Sequence, residues 1–138
     1  MQIFIDENLS RNIALALHHL QALLPEQHTI QHAIDKFGGY GTPDEIWLKT
    51  LIDEGNWVIL SKDKFDKNAP EIHAFRAAGI PIFHLDKQWS KHSGWEEAMR
   101  LLKWWPDISR LVNSATQPMW YEVPWAHNPK LKGRPLKK

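Results

Sequence analysis

Ile3-Phe4-Ile5 runs straight into Asp6-Glu7, and no other feature narrows the possible folds of this chain as much. The run is too short for a helix and rich in β-formers, so it predicts a strand buried on both faces, as in parallel sheets. The pattern returns twice. Trp57-Val58-Ile59-Leu60 leads into Ser61-Lys62-Asp63, and Ile80-Pro81-Ile82-Phe83-His84-Leu85 ends on Asp86. In open α/β sheets ligands bind outside the carboxyl ends of the strands. Acids placed there are candidate ligands for a hard cation.

Between these runs the apolar residues recur at helical spacing. Leu9, Ile13, Ala16, Leu17, Leu20 and Leu24 form the first such stripe, closed by Pro25. His28 to Ala33 reads as a second strand, and Lys36-Phe37-Gly38-Gly39-Tyr40-Gly41 as a loop whose glycines lack the context of a phosphate-binding motif. Thr42-Pro43-Asp44-Glu45 predicts a helix start with Thr42 as N-cap and Glu45 completing a capping box; Trp47, Leu48, Leu51 and Ile52 are its buried stripe and Gly55 its end. Asn68-Ala69-Pro70-Glu71 repeats the pattern for a helix burying Ile72 and Phe75 and ending at Gly79. Pro81 puts the fourth strand at an edge, or the proline among its first residues. Ser93-Gly94-Trp95-Glu96 is a further capping box for a helix through Trp95, Met99, Leu102 and Trp105. Pro106 opens a separate short helix with Ile108, Leu111 and Val112, and Met119 to Val123 is a last strand. This alternation predicts an α/β fold: a central, mostly parallel sheet with helices on both faces and right-handed crossovers.

The chain of 138 residues supports one domain. We expect that domain over residues 1–126 and a flexible basic tail over 127–138. The tail carries Lys130, Lys132, Arg134, Lys137 and Lys138 and no acid; removing these five from 17 basic residues leaves 12 against 16 acids in residues 1–126, a net of −4. A basic arm is an electrostatic footprint of nucleic-acid contact, and also an ordinary solvated tail. With no cysteine, disulfides, thiolate zinc sites and a cysteine nucleophile are excluded. No segment approaches the roughly 20 apolar residues of a membrane span, and no leader-like stretch opens the chain, so a cytoplasmic protein is expected.

Three acids are placed to converge at one sheet edge: Asp6, Glu45 and Asp63, with Glu7, Asp44, Asp66 and Asp86 near them in the topology. Gathered carboxylates repel one another, and a cation neutralises such a cluster. Mg²⁺ suits it, since it takes one or two carboxylates with water and substrate phosphate. Glu45 is open between completing its cap and serving a metal, and Asp63 between a metal role and a strand-end turn. Asp6 has little structural reason to be charged. The histidines form no site: His28 and His32 share a strand face at roughly 13 Å, and adjacent His18 and His19 point apart. Trp95, Trp104 and Trp105 fit a buried helix face, while Trp120 and Trp125 beside the tail are placed to stack on RNA bases.

Asp6-Glu7-Asn8-Leu9 after the first strand, Pro43-Asp44-Glu45-Ile46 opening the second long helix, and Val58-Ile59-Leu60-Ser61-Lys62-Asp63 with Lys64-Phe65 together resemble the PIN-like superfamily. The resemblance is nearest to its short Asp-Glu-Asn-Leu proteins related to VapC-type toxins, and it spans most of residues 1–112. It implies a three-layer α/β/α sandwich and an acidic Mg²⁺ or Mn²⁺ site. It also implies metal-assisted hydrolysis of single-stranded RNA, an antitoxin partner and a homodimer. By the same resemblance Asp6, Glu45 and Asp63 are the catalytic, metal-holding acids, and the fourth acid is open between Asp66 and Asp86. Asn8, Lys62 and Lys64 would contact the substrate.

Two rival readings stand beside it. A phosphorelay receiver also places acids after its first and third strands, but it needs a hydroxyl after the fourth strand, where Ile82 to Asp86 offers none. The other rival is a PIN-like fold without activity, serving as a binding module.

Overall fold

The computed structural model describes residues 1–62, 79–114, 119–127, 131 and 133–135. Among these residues the sheet has six strands: β1 (Gln2–Ile5), β2 (Thr29–His32), β3 (Trp57–Ser61), β4 (Ile82–Leu85), β5 (Met119–Val123) and β6 (Gly133–Pro135), in the order β2-β1-β3-β4-β5-β6. The first five are all parallel and β6 is antiparallel to β5. The α-helices among the described residues are α1 (Arg11–Leu20), α2 (Ala33–Phe37), α3 (Asp44–Glu54) and α4 (Gly94–Ser114).

Two apolar layers follow from the alternation of side chains along each strand. Ile3, Ile5, Val58, Leu60, Phe83, Leu85, Tyr121 and Val123 meet Ile13 and Leu17 of α1 and Leu101, Trp104, Trp105, Ile108 and Val112 of α4. On the opposite face Phe4, Ile59 and Ile82 meet Ala33 of α2 and Trp47, Leu48 and Leu51 of α3. Phe4 stacks on Trp47 with ring centroids 5.0 Å apart, which holds the start of α3 against β1. The three-layer sandwich is therefore present.

Several local expectations change. The loop after β2 begins with a short helix, α2, because the His32 imidazole caps it: Nδ1 accepts from Ile34 N–H at 3.1 Å, while Nε2–H donates to the Leu9 carbonyl at 2.7 Å. Gly38, at φ +75°, ends that helix in the left-handed region that glycine adopts without strain. At α3 the expected capping box does not form: Pro43 occupies the N-cap with no side-chain bond, and Asp44 Oδ1 accepts from the Trp47 indole N–H at 2.9 Å. The box at Ser93 does form, with Ser93 Oγ accepting from Glu96 N–H at 3.2 Å and Glu96 Oε1 from Ser93 N–H at 3.0 Å. That pairing holds the Glu96 carboxyl below its usual range.

Pro106 does not start a new helix but lies inside α4. The turns on either side bury one continuous stripe, so packing outweighs the lost backbone bond. Trp104 and Trp105 are buried as expected, but Trp95 is 75% exposed and Met99 53%. The fourth strand is central, and Pro81 immediately precedes it, where its missing N–H is not required. In the basic tail, Gly133–Pro135 form β6; a Cβ on Gly133 would come within 2.5 Å of the Tyr121 ring, so only glycine fits there. No described helix is long and apolar enough to cross a membrane. The helix expected from Asn68 lies outside the described residues, except for its terminal Gly79.

Candidate nuclease edge

Parallel register brings the carboxyl ends of β1, β3, β4 and β5 into one row: Ile5 pairs with Leu60, Ser61 with His84 and Leu85 with Val123. Asp6 is the first residue beyond β1, and its own N–H still donates to the Leu60 carbonyl at 3.2 Å. The side chain is only 6% exposed. Its Oδ1 accepts from Glu7 N–H at 2.7 Å and its Oδ2 from the Ser61 hydroxyl at 3.0 Å. A buried carboxylate costs free energy unless it is satisfied, and two donors at these distances orient it as well as stabilise it.

The neighbours of Asp6 are cross-braced. Asn8 bridges the loops after β1 and β3, donating from Nδ2 to Ser61 Oγ at 3.5 Å and accepting at Oδ1 from Lys62 N–H at 3.4 Å. The structure thus places Asn8 as a strut at the edge. Glu7 Oε2 accepts from Gly41 N–H at 2.9 Å, which fastens the glycine loop beside the site. Gly41 sits at φ +79°, a conformation that presents this N–H at little cost in glycine.

Lys62 Nζ lies 3.0 Å from Glu97 Oε2 of α4, with both side chains largely buried. Its charge is committed within the protein, which sequence reasoning did not anticipate. Glu45 is exposed at the start of α3. Asp86 stands directly after β4 and caps the 3₁₀ turn Lys87–Lys91, with Oδ1 accepting from Gln88 N–H at 2.9 Å. Asp63, Lys64 and Asp66 lie outside the described residues.

His84 and Glu122 were not singled out by sequence, yet they pair across β4 and β5. Glu122 Oε1 and Oε2 lie 2.9 and 3.0 Å from His84 Nδ1, and Oε2 also accepts from the Trp120 indole N–H at 2.8 Å. The residues are 38 apart in sequence and adjacent only through strand register, so no local signal marks them.

The family model for a PIN like domain matches residues 1–87, well over half of the chain. The chain belongs to the PIN-like domain family. Members of this family are generally hydrolytic nucleases and typically use divalent metals. No curated protein and no solved structure matches the chain. The matched segment carries β1 to β4 and therefore Asp6, Glu45, Ser61 and Asp86, while α4, β5 and β6 lie beyond it. The donors brought together by β1 and β3 of this PIN-like edge are the Asp6 carboxylate and the Ser61 hydroxyl, both oxygen. That chemistry fits a hard divalent cation such as Mg²⁺ or Mn²⁺. Among the described residues no three His, Asp or Glu side chains gather at one point, and the acids expected to complete the set, Asp63 and Asp66, are not among them.

Proposed function

We propose that this PIN-like protein is a Mg²⁺- or Mn²⁺-dependent endoribonuclease that hydrolyses single-stranded RNA. The observation that carries the reading is Asp6: a buried carboxylate at the carboxyl edge of a parallel sheet, aimed by the Ser61 hydroxyl and the Glu7 amide. Asp6, Asp63 and Glu45 would hold the ion, with Asp66 or Asp86 as the fourth acid. When bound, the ion polarises a phosphoryl oxygen and supplies a nucleophilic water near neutral pH.

The chain's own groups do the positioning. Ser61 and Asn8 keep the ends of β1 and β3 at fixed spacing, so the Asp6 oxygens do not reorganise as charge builds on the phosphate. Lys62, neutralised by Glu97, holds the start of the β3 loop against α4, and Lys87 is an exposed cation beside it for the RNA backbone. The Asp6-Glu7-Asn8-Leu9 signature further supports a toxin role with a cognate antitoxin.

The test is cleavage of end-labelled single-stranded RNA with Mn²⁺, Mg²⁺ or EDTA, with Asp6→Asn run in parallel. Cleavage that needs metal and disappears in the variant supports the reading. RNA binding with no cleavage under any metal replaces it with a binding module. The toxin role predicts that expressing the wild-type chain, and not Asp6→Asn, arrests growth of a bacterial host.

A further inference from the structure

A cleft of about 530 Å³ opens beside β4 at the proposed catalytic edge, lined by Lys62, His84, Asp86, Lys87, Gln88, Ser90 and Glu122. Its volume is in the range of small-ligand sites. One wall, the turn Lys87–Lys91, is rigidly held: Trp89 is fully buried and its indole N–H donates to the Val123 carbonyl at 2.9 Å. With Trp89 anchored inward, its neighbours Gln88 and Ser90 line the cleft. Among the described residues the side chains of Lys87, Gln88 and Ser90 make no hydrogen bond or ion pair, so their polar groups are uncommitted. The floor is His84, about nine-tenths buried, whose Nδ1 is held by Glu122 and whose Nε2 has no partner among the described residues. Gln88, Ser90 and Glu122, three of the seven described lining residues, lie beyond the segment matched by the family model.

We propose that this cleft is a specificity subsite that takes one unstacked base of the single-stranded RNA next to the cleaved bond, and that it selects adenine or cytosine. The proposal rests on the nuclease reading for its ligand class. Its chemistry comes from the lining. The Gln88 amide offers a donor and an acceptor side by side, the pair that reads the adenine edge bidentately, and carboxylates accept from the cytosine amine. Asp86 adds a carboxylate acceptor, which favours an exocyclic amine over the carbonyl that uracil presents in its place. Lys87 supplies the phosphate contact, which carries no sequence information. The strand spacing of about 4.8 Å puts β4 roughly 10 Å from β1 across β3, so a base in the cleft belongs to a nucleotide one or two removed from a phosphate at Asp6.

Binding of adenylate, cytidylate and uridylate decamers, measured by fluorescence anisotropy in EDTA, separates this proposal from the cleavage reaction. Wild-type protein is expected to hold the adenylate and cytidylate decamers about tenfold more tightly than uridylate. Gln88→Ala and Ser90→Ala should bring that ratio toward one, and Lys87→Ala should weaken all three alike. Both cleft variants keep the backbone N–H that Asp86 caps, so native circular dichroism is expected. Equal binding of the three decamers by wild type, or a preference unchanged in both variants, overturns the subsite even if Mn²⁺-dependent cleavage is intact. A preference that Gln88 controls, without any cleavage, supports the subsite and sinks the nuclease reading. Failure of wild type to bind any decamer overturns the ligand class and the subsite with it.

Discussion

Replacing Ser61 with alanine tests whether the Asp6 carboxylate is held in place by its environment. Ser61 is completely buried, and its hydroxyl donates to Asp6 Oδ2 at 3.0 Å. A hydrogen bond to a charged group contributes about 1.5–3 kcal/mol, so Ser61→Ala is expected to cost about 2 kcal/mol. With an unfolding entropy of about 2.1 cal/mol/K per residue, that lowers the Tm by roughly 7 °C. In an Asp6→Asn background the same hydroxyl meets a neutral amide, where such a bond contributes about 1 kcal/mol. Ser61→Ala should then cost about half as much. The assay is urea unfolding of the wild type, both single variants and the double variant at neutral pH, which gives the coupling directly. If Ser61→Ala costs the same in both backgrounds to within about 0.5 kcal/mol, the hydroxyl is not stabilising a carboxylate charge, and the account of Asp6 as an oriented anion is wrong.

Other residues give further checks. Burial holds His28 below its ordinary pKa of 6.5, against the opposing hydrogen bond to the Ser109 carbonyl. The unfolded chain therefore takes up this proton first as pH falls through 6.5, and stability present at pH above that value is lost below it. Urea midpoints across this range should fall less in His28→Gln than in wild type; equal slopes would remove His28 as a cause. Trp104→Ala, at a fully buried site whose indole N–H donates to the Pro124 carbonyl, should cost about 3–5 kcal/mol, whereas Trp95→Ala on the exposed side of the same helix should stay within about 0.5. Ser93→Ala removes the cap of α4 and should cost about 1 kcal/mol by thermal melting.

How far the sequence could be read differs from element to element. The parallel sheet was legible because runs such as Ile3-Phe4-Ile5 and Trp57-Val58-Ile59-Leu60 are apolar on both faces, which few other environments permit. Asp6 was legible because an acid directly after such a run has nowhere to go but the sheet edge. The capping box at Thr42 misled. The start of α3 is set by Trp47 stacking on Phe4 and bonding Asp44, a contact between distant parts of the chain. Pro106 misled for a similar reason, since a buried stripe from Leu101 to Val112 keeps the helix continuous through it.

Taken alone, the sequence determined the sheet, its helices on both faces, membership in a PIN-like family through residues 1–87, and the position of Asp6 at the carboxyl edge. These depend on local apolar patterning and on short motifs, both written along the chain. Only the tertiary structure decided what surrounds that acid. Ser61 as the donor to Asp6, Glu97 as the partner of Lys62, and His84 joined to Glu122 beside the cleft all link residues 35 or more apart in sequence. Strand register and helix packing create these neighbours, and register is a property of the assembled sheet rather than of any single strand.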